Sequence, residues 1–391
     1  MDLKNKNILI LAVVGILLYF VSSGLSYFIF SKATSQILTP STPTTTGPNG
    51  KVVFDESLPK TEECSLNGAK YSKQQREWWE KHRPLGIMIE NHETSRPQSG
   101  LSSADVIYEA VAEGGITRFL AVFYCQDAEL VGPVRSARTY FLDFISEYGQ
   151  NPLYAHVGGA NTPGPADALS QINKYGWGAY NDMNQFSIGF PTFWRDYNRL
   201  GHPTATEHTM YSSTTKLWNF AAKDRKLTNK DEDGKNWDED FESYSFKDDA
   251  KTSDRGDVGS VHIEFWENNS DYFVDWKFDL ATNSYLRSHG KTTHTDLNTK
   301  KQISAKNVVA LFMRESSAND GYEDNVHLLY ATKGSGKAQV YMDGEEISGT
   351  WRKSDREART IILDSKGNEV EFNRGLTWFE IVPIGGVAEA N

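Results

Sequence analysis

Cysteine is almost missing from this chain: Cys64 and Cys125 are the two it has in 391 residues. That excludes a fold stapled by several disulfides, and a metal site built on clustered cysteines has too few ligands. Positive charge is in deficit too, with 41 Lys and Arg against 52 Asp and Glu, a net charge of −11. That argues against nucleic acid as a partner, although a local basic site remains compatible with it. No second long apolar run follows residue 30, so one membrane crossing is the maximum for helices. No GxSxG elbow, P-loop, HExxH, GxGxxG or Cys–His pair of known spacing occurs, and no repeat of fixed period.

The one long apolar run is Ile8 to Phe30, which carries no charge. As a helix it reaches roughly 35 Å, enough for a ~30 Å hydrocarbon core. Lys4 and Lys6 precede it and Lys32 follows, a small bias toward a cytoplasmic N-terminus. The expectation is an uncleaved anchor over 8–30 behind a cytoplasmic stub, 1–7. A cleaved signal peptide is the alternative, but its apolar region is ordinarily shorter. Residues 31–63 are rich in Ser, Thr and Pro and read as a flexible spacer. The rest is then a cell-membrane protein's extracytoplasmic part. There two lone cysteines are a candidate disulfide, Cys64 to Cys125, with two independent thiols as the alternative.

Ten Trp, eighteen Tyr and twenty Phe supply ample core material. In the first part, 64–228, helices are expected at 71–83, 139–148, 163–174 and 214–224, and strands at 85–89, 105–112, 117–124, 130–134 and 153–157. Gly114-Gly115 permits the positive φ angles of a hairpin turn. The pattern is an α+β domain with a mainly antiparallel meander and flanking helices. Residues 229–242 are acidic and poor in apolar side chains, an inter-domain linker. From 243 to 385 short strand-like runs alternate with turn signals such as Asp343-Gly344, an all-β sandwich or barrel. Gly334-Ser335-Gly336-Lys337 lacks the spacing of a phosphate loop and reads as a hairpin connection.

The meander places Arg118, at the start of one strand, beside Arg135 and Arg138, just past the end of the next. Glu113 lies at the same end, with Glu109 a further candidate. Three guanidiniums repel unless carboxylates or an anion compensate them, and Arg suits bidentate recognition of phosphate or carboxylate. An anion site and a structural Arg–Glu network are both open. His156, before Gly158-Gly159, and His208 are candidate ligand-binding residues. His202 and His208 flank a segment that matches no zinc spacing, so no metal is expected.

These residues carry a resemblance. RPLGIMIENH (Arg83 to His92), RPQSGLSSADVIYEAVAEGGITRF (Arg96 to Phe119), VGPVRSAR (Val131 to Arg138) and YAHVGGA (Tyr154 to Ala160) resemble the YerB-like family of bacterial lipoproteins. So do NVVALF (Asn307 to Phe312), GSGKAQVYMDGEEISGTWRK (Gly334 to Lys353) and GLTWFEIVP (Gly375 to Pro383). The family implies two domains without an established activity, tethered outside the membrane. The chain departs from it in having an apolar run where a lipidated cysteine would sit. A fainter likeness of layout links TRFLAVF, GPVRSAR and LYAHVGGA to LytR-CpsA-Psr phosphotransferases, in which arginines hold a pyrophosphate.

Three functions follow as expectations. The first is an envelope module binding an anionic glycan or lipid head group through the arginine cluster. The second is a phosphotransferase or hydrolase on a phosphorylated glycan, with Glu113 or His156 as base; only this one calls for a cofactor, a divalent metal. The third is a structural partner of envelope proteins.

Overall fold

The computed structural model describes residues 44–45 and 52–391. The expected anchor at 8–30 lies outside the described residues, as does most of the spacer. Among the described residues no helix is long and apolar enough to cross a membrane. The spacer was expected to end at residue 63, but the chain is already folded from Val52. Lys60–Glu63 pairs with Lys70–Ser72, and the Val52 amide donates to the Asp127 carboxylate at 3.0 Å. The correction has a simple cause: the paired strand satisfies backbone groups that a free spacer would leave to water.

Ten strands form one sheet, numbered here along the chain: β1 Leu85–Glu90, β2 Val106–Glu113, β3 Ile116–Phe123, β4 Leu153–His156, β5 Asp182–Asn184, β6 Asn307–Met313, β7 Gly334–Met342, β8 Glu345–Lys353, β9 Ile361–Asp364 and β10 Thr377–Pro383. Their spatial order is β9-β8-β7-β6-β10-β2-β3-β1-β4-β5. The N-terminal half supplies β1–β5 and the C-terminal half β6–β10, and the halves meet where β10 runs parallel to β2, Thr377 opposite Val106 through Glu380 opposite Glu109. A second, six-stranded antiparallel sheet, which includes Ser260–Glu264, Val274–Asp279 and Ser284–His289, comes from the C-terminal half. It lies over that seam, with the Trp276 ring 5.3 Å from Trp378. The other face of the seam is covered by the helix Thr139–Ile145, where Tyr108 stacks between Phe144 and Phe379. Strand alternation explains both layers: Tyr108 and Phe379 point one way, Glu109, Trp378 and Glu380 the other.

The fold is mostly β with few helices, and α-helix is confined to the N-terminal half. Thr214–Asp224 is helical as expected, capped by Ser213. The helix expected from Pro163 starts at Ala168, where Asp167 accepts from the Ser170 amide. Gly334–Lys337 lies within β7, and the turn to β8 is Asp343-Gly344, both at positive φ. The acidic segment 229–242 connects the halves and is packed down, with Trp237 buried against Tyr124 and Phe241.

The expected meander is corrected. Residues 130–134 do not pair with β3; β3 lies between β2 and β1. The segment instead makes single bridges, Ile89 to Val134 and Val131 to Ser212. Gly132 is the reason, because its φ of +148° breaks the extended run. A side chain there would meet the Met210 carbonyl at 2.8 Å.

Candidate functional site

The arginines converge nonetheless, through β1 instead of the expected third strand. Arg118 on β3 pairs in register with Glu90 on β1 and Ala110 on β2. The segment after Gly132 is stapled to the end of β1, where the Glu90 amide donates to the Pro133 carbonyl and the Arg135 amide to the Met88 carbonyl, both at 2.9 Å. On its other side it meets the residues following β4, with Val157 N–H bonded to the Arg135 carbonyl and Ala137 N–H to the Gly158 carbonyl. Arg118, Arg135 and Arg138 thus share one end of the sheet with Gly158-Gly159.

Two carboxylates sit among them. Glu113, the last residue of β2 before the Gly114-Gly115 turn, pairs with Arg138 and, at 3.1 Å, with Arg118 Nη2. Glu90 pairs with Arg135, and His208 Nδ1 approaches it to 3.5 Å. Burial pushes the Glu90 carboxyl up, but His208, Arg118 and Arg135 outweigh it and bring it down to about 2. Glu90 is therefore an anion, and the group holds three cations against two anions. Burial lowers the Arg138 guanidinium. Arg118 Nε and Arg138 Nε are buried without a hydrogen-bond partner among the described residues. Part of the structural network reading is thereby met, since Glu113 holds Arg118 and Arg138 inside.

Arg135 differs. Its Nε side faces Glu90, yet its side chain is 29 % exposed on the wall of a cleft of about 580 Å³. The cleft is also lined by Ser136, Gly158, Gly159, Asn161 and the exposed Arg195 and Glu207. Arg195 is held by the Thr206 carbonyl and, at 3.1 Å, the Thr209 hydroxyl. Val157, Leu169, Phe186 and Met210 give the cleft an apolar side. A Cβ on Gly158 would lie 3.0 Å from the Phe186 ring, so glycine keeps this wall open.

The two histidines do not enter this cleft. His156 is fully buried, with Nδ1 at 2.6 Å from the Gly158 carbonyl and Nε2 at 2.6 Å from the Asp182 carboxylate. Nε2 ties β4 to β5, and Nδ1 holds the turn that follows β4. His208 is buried behind Glu90 and stacks on His92. Cys64 and Cys125 form a disulfide with Cα atoms 6.1 Å apart, tying the entry segment to the residue just past β3. Arg195 escaped the sequence reading because its range carries no strand or glycine signal.

Glu109 belongs elsewhere. It is fully buried on the seam, directly opposite Glu380. Arg287, also fully buried, donates to Glu109 at 2.6 Å, as does Trp378 Nε1 at 3.2 Å. Trp276 Nε1 donates to Glu380 at 2.8 Å. The second Glu380 oxygen has no donor and faces Glu109. Burial and the Glu109 charge raise the Glu380 carboxyl well above its usual range. Arg287 Nη1 also reaches His294 Nδ1 at 2.6 Å and His289 Nδ1 at 3.2 Å. Both rings are held below the usual histidine range by burial and by Arg287. The available signal was a lone Glu inside each of two apolar strands, VIYEAVA and TWFEIVP.

Comparison with known proteins places these features in a family. Residues 69–228 match the family model described as "Protein of unknown function (DUF3048) N-terminal domain", and residues 261–379 its C-terminal domain. "Putative lipoprotein YerB" of Bacillus subtilis is 30% identical over 304 residues, covering 77% of this chain and 81% of that protein. The crystal structure of the YerB protein from Bacillus subtilis superposes with a TM-score of 0.66 at 25% identity, covering 84% of this chain and all of that one.

Proposed function

We propose that this chain, which belongs to the YerB-like family of paired DUF3048 domains, is held at the outer face of a membrane and binds an anionic envelope ligand in the cleft between Arg135 and Arg195. The location is supported by the relative's name as a lipoprotein and by the apolar run at 8–30, which stands where a lipid anchor would. The binding reading is carried by one observation. Arg135 spends its Nε side on Glu90 while its part-exposed side chain lines the cleft with Arg195, and with Arg118 and Arg138 behind it four guanidiniums stand against three carboxylates, Glu90, Glu113 and Glu207. Such an excess favours a phosphate or carboxylate, which a guanidinium grips through two parallel hydrogen bonds.

Binding is preferred over phosphotransfer because neither expected base faces the cleft freely. His156 is buried with both nitrogens engaged, and Glu113 is shared by two arginines. The test is calorimetric titration of the detergent-solubilised full chain with poly(glycerol phosphate) and with inorganic pyrophosphate. Removing a charge-assisted contact costs about 1.5–3 kcal/mol, so Arg135→Ala and Arg195→Ala are each expected to weaken binding by about 10- to 100-fold. Variants that bind both probes as tightly as the parent would sink the assignment.

A further inference from the structure

Beyond the cleft lies a second surface that this function does not use. Phe190 is the most exposed large apolar side chain among the described residues, at 84%. Phe190 borders a groove of about 390 Å³ with Ile188, Phe220, Lys216 and Lys223. The groove's other wall is the exposed face of the helix Thr214–Asp224. From residue 214 to 226 that segment carries Lys216, Lys223, Arg225 and Lys226 against the single Asp224, in a chain of net charge −11. An exposed phenylalanine beside two lysines is an unfavourable surface in water and a favourable one at an anionic lipid boundary. There the ring enters the head-group layer and the ammonium groups meet phosphate.

The place where the chain enters the fold supplies the second argument. The Val52 amide is held by Asp127 Oδ2, and Asp127 Oδ1 accepts from the hydroxyls of Thr214 and Thr215 at 2.7 and 2.8 Å. Phe54 packs on Trp78, which packs on Trp218 of the same helix. The entry segment is thus fastened to the first turn of the helix that bears the lysines. Thr44–Thr45 pairs with Val52–Val53, and the residues between Phe30 and Thr44 span at most about 50 Å when fully extended. The chain therefore enters the described fold beside the first turn of the helix that carries Lys216 and Lys223.

We infer that Phe190 and the basic face of the helix Thr214–Asp224 form a membrane-contacting surface that rests on an anionic bilayer. This rests on the chain being tethered, and the test separates the two. The full-length Phe190→Cys variant, whose native cysteines are paired, is labelled with an environment-sensitive dye and reconstituted into vesicles containing phosphatidylglycerol. A Leu280→Cys label in the turn after Val274–Asp279 serves as the reference. The expected result is a blue shift and quenching by acyl-brominated lipid at position 190 but not at 280. The response should weaken roughly fivefold for each charge lost in Lys216→Glu and Lys223→Glu, and disappear in phosphatidylcholine vesicles at high salt. A label at 190 that behaves like the one at 280 in properly inserted chain overturns the docking surface. So does a shift already present in detergent that grows with protein concentration, which would mark a second copy as the occupant. A chain that does not insert at all overturns the tether and this surface with it.

Discussion

Replacing Glu380 with Gln should make the protein more stable, and increasingly so as pH rises. Glu380 and Glu109 face each other at 0 % exposure across the seam between β10 and β2, with Arg287 as the cation between the halves. One guanidinium neutralises one carboxylate, so the second is kept protonated by burial and by its neighbour. In the unfolded chain Glu380 ionises near its ordinary value of 4.5. Between that value and the raised value in the fold, the unfolded state binds one proton fewer than the folded state. Stability is therefore fully present below about 4.5 and declines as pH rises, by about 1.4 kcal/mol per pH unit from this group. Gln cannot ionise, and its amide reproduces the protonated acid: its oxygen accepts from Trp276 Nε1 and its NH₂ donates to Glu109.

The difference between Glu380→Gln and the parent isolates this effect from other titrating groups, including His289 and His294, whose lowered values remove stability as pH falls. From pH 5.5 to 7.5 that difference should grow with pH, at about 1.4 kcal/mol per pH unit while Glu380 stays protonated in the fold. Urea unfolding of the full chain in detergent, followed by tryptophan fluorescence, reads it, since Trp276 and Trp378 flank the pair. A difference that stays flat across this window would refute the shared-proton seam. Glu109→Gln is the contrast: it strands the Arg287 guanidinium and should cost about 3–5 kcal/mol.

Glu113→Gln removes the carboxylate that both Arg118 and Arg138 use, so the midpoint of urea unfolding should fall by the equivalent of about 3 kcal/mol. An unchanged midpoint would show that the arginines do not depend on it. The Cys64–Cys125 disulfide spans a sequence separation of 61, for which loop entropy gives about 4 kcal/mol. Unfolding of the Cys64→Ala, Cys125→Ala double variant should show a loss of that order, and a loss below about 1 kcal/mol would contradict the entropic account.

Most local structure was legible in the residues. The hairpin of β2 and β3 follows from two strand-forming runs around Gly114-Gly115, and the helix Thr214–Asp224 covers the residues expected for it. The gathering of Arg118, Arg135 and Arg138 was also legible, but through the wrong neighbour. A glycine at φ +148° turned 130–134 out of the sheet, and β1 took the place beside β3. Strand pairing is a choice among partners of similar local pattern, so periodicity names the strands and not their neighbours. Arg195 and the cleft beside Arg135 were invisible because they depend on how loops far apart in sequence fold over one another.

By itself the sequence determined the quantities that local chemistry controls. These are the single apolar run, the acidic balance, the lone pair of cysteines, the Gly-Gly turn and the family motifs. Only the tertiary structure decided that the two halves share one ten-stranded sheet, and that Glu109 leaves the arginine cluster to meet Glu380 and Arg287. The reason is physical. A carboxylate in an apolar strand announces that it must be compensated when buried, but its compensating cation comes from a strand 178 residues away. Which partner it finds is settled by the packing of whole sheets and not by its neighbours in the chain.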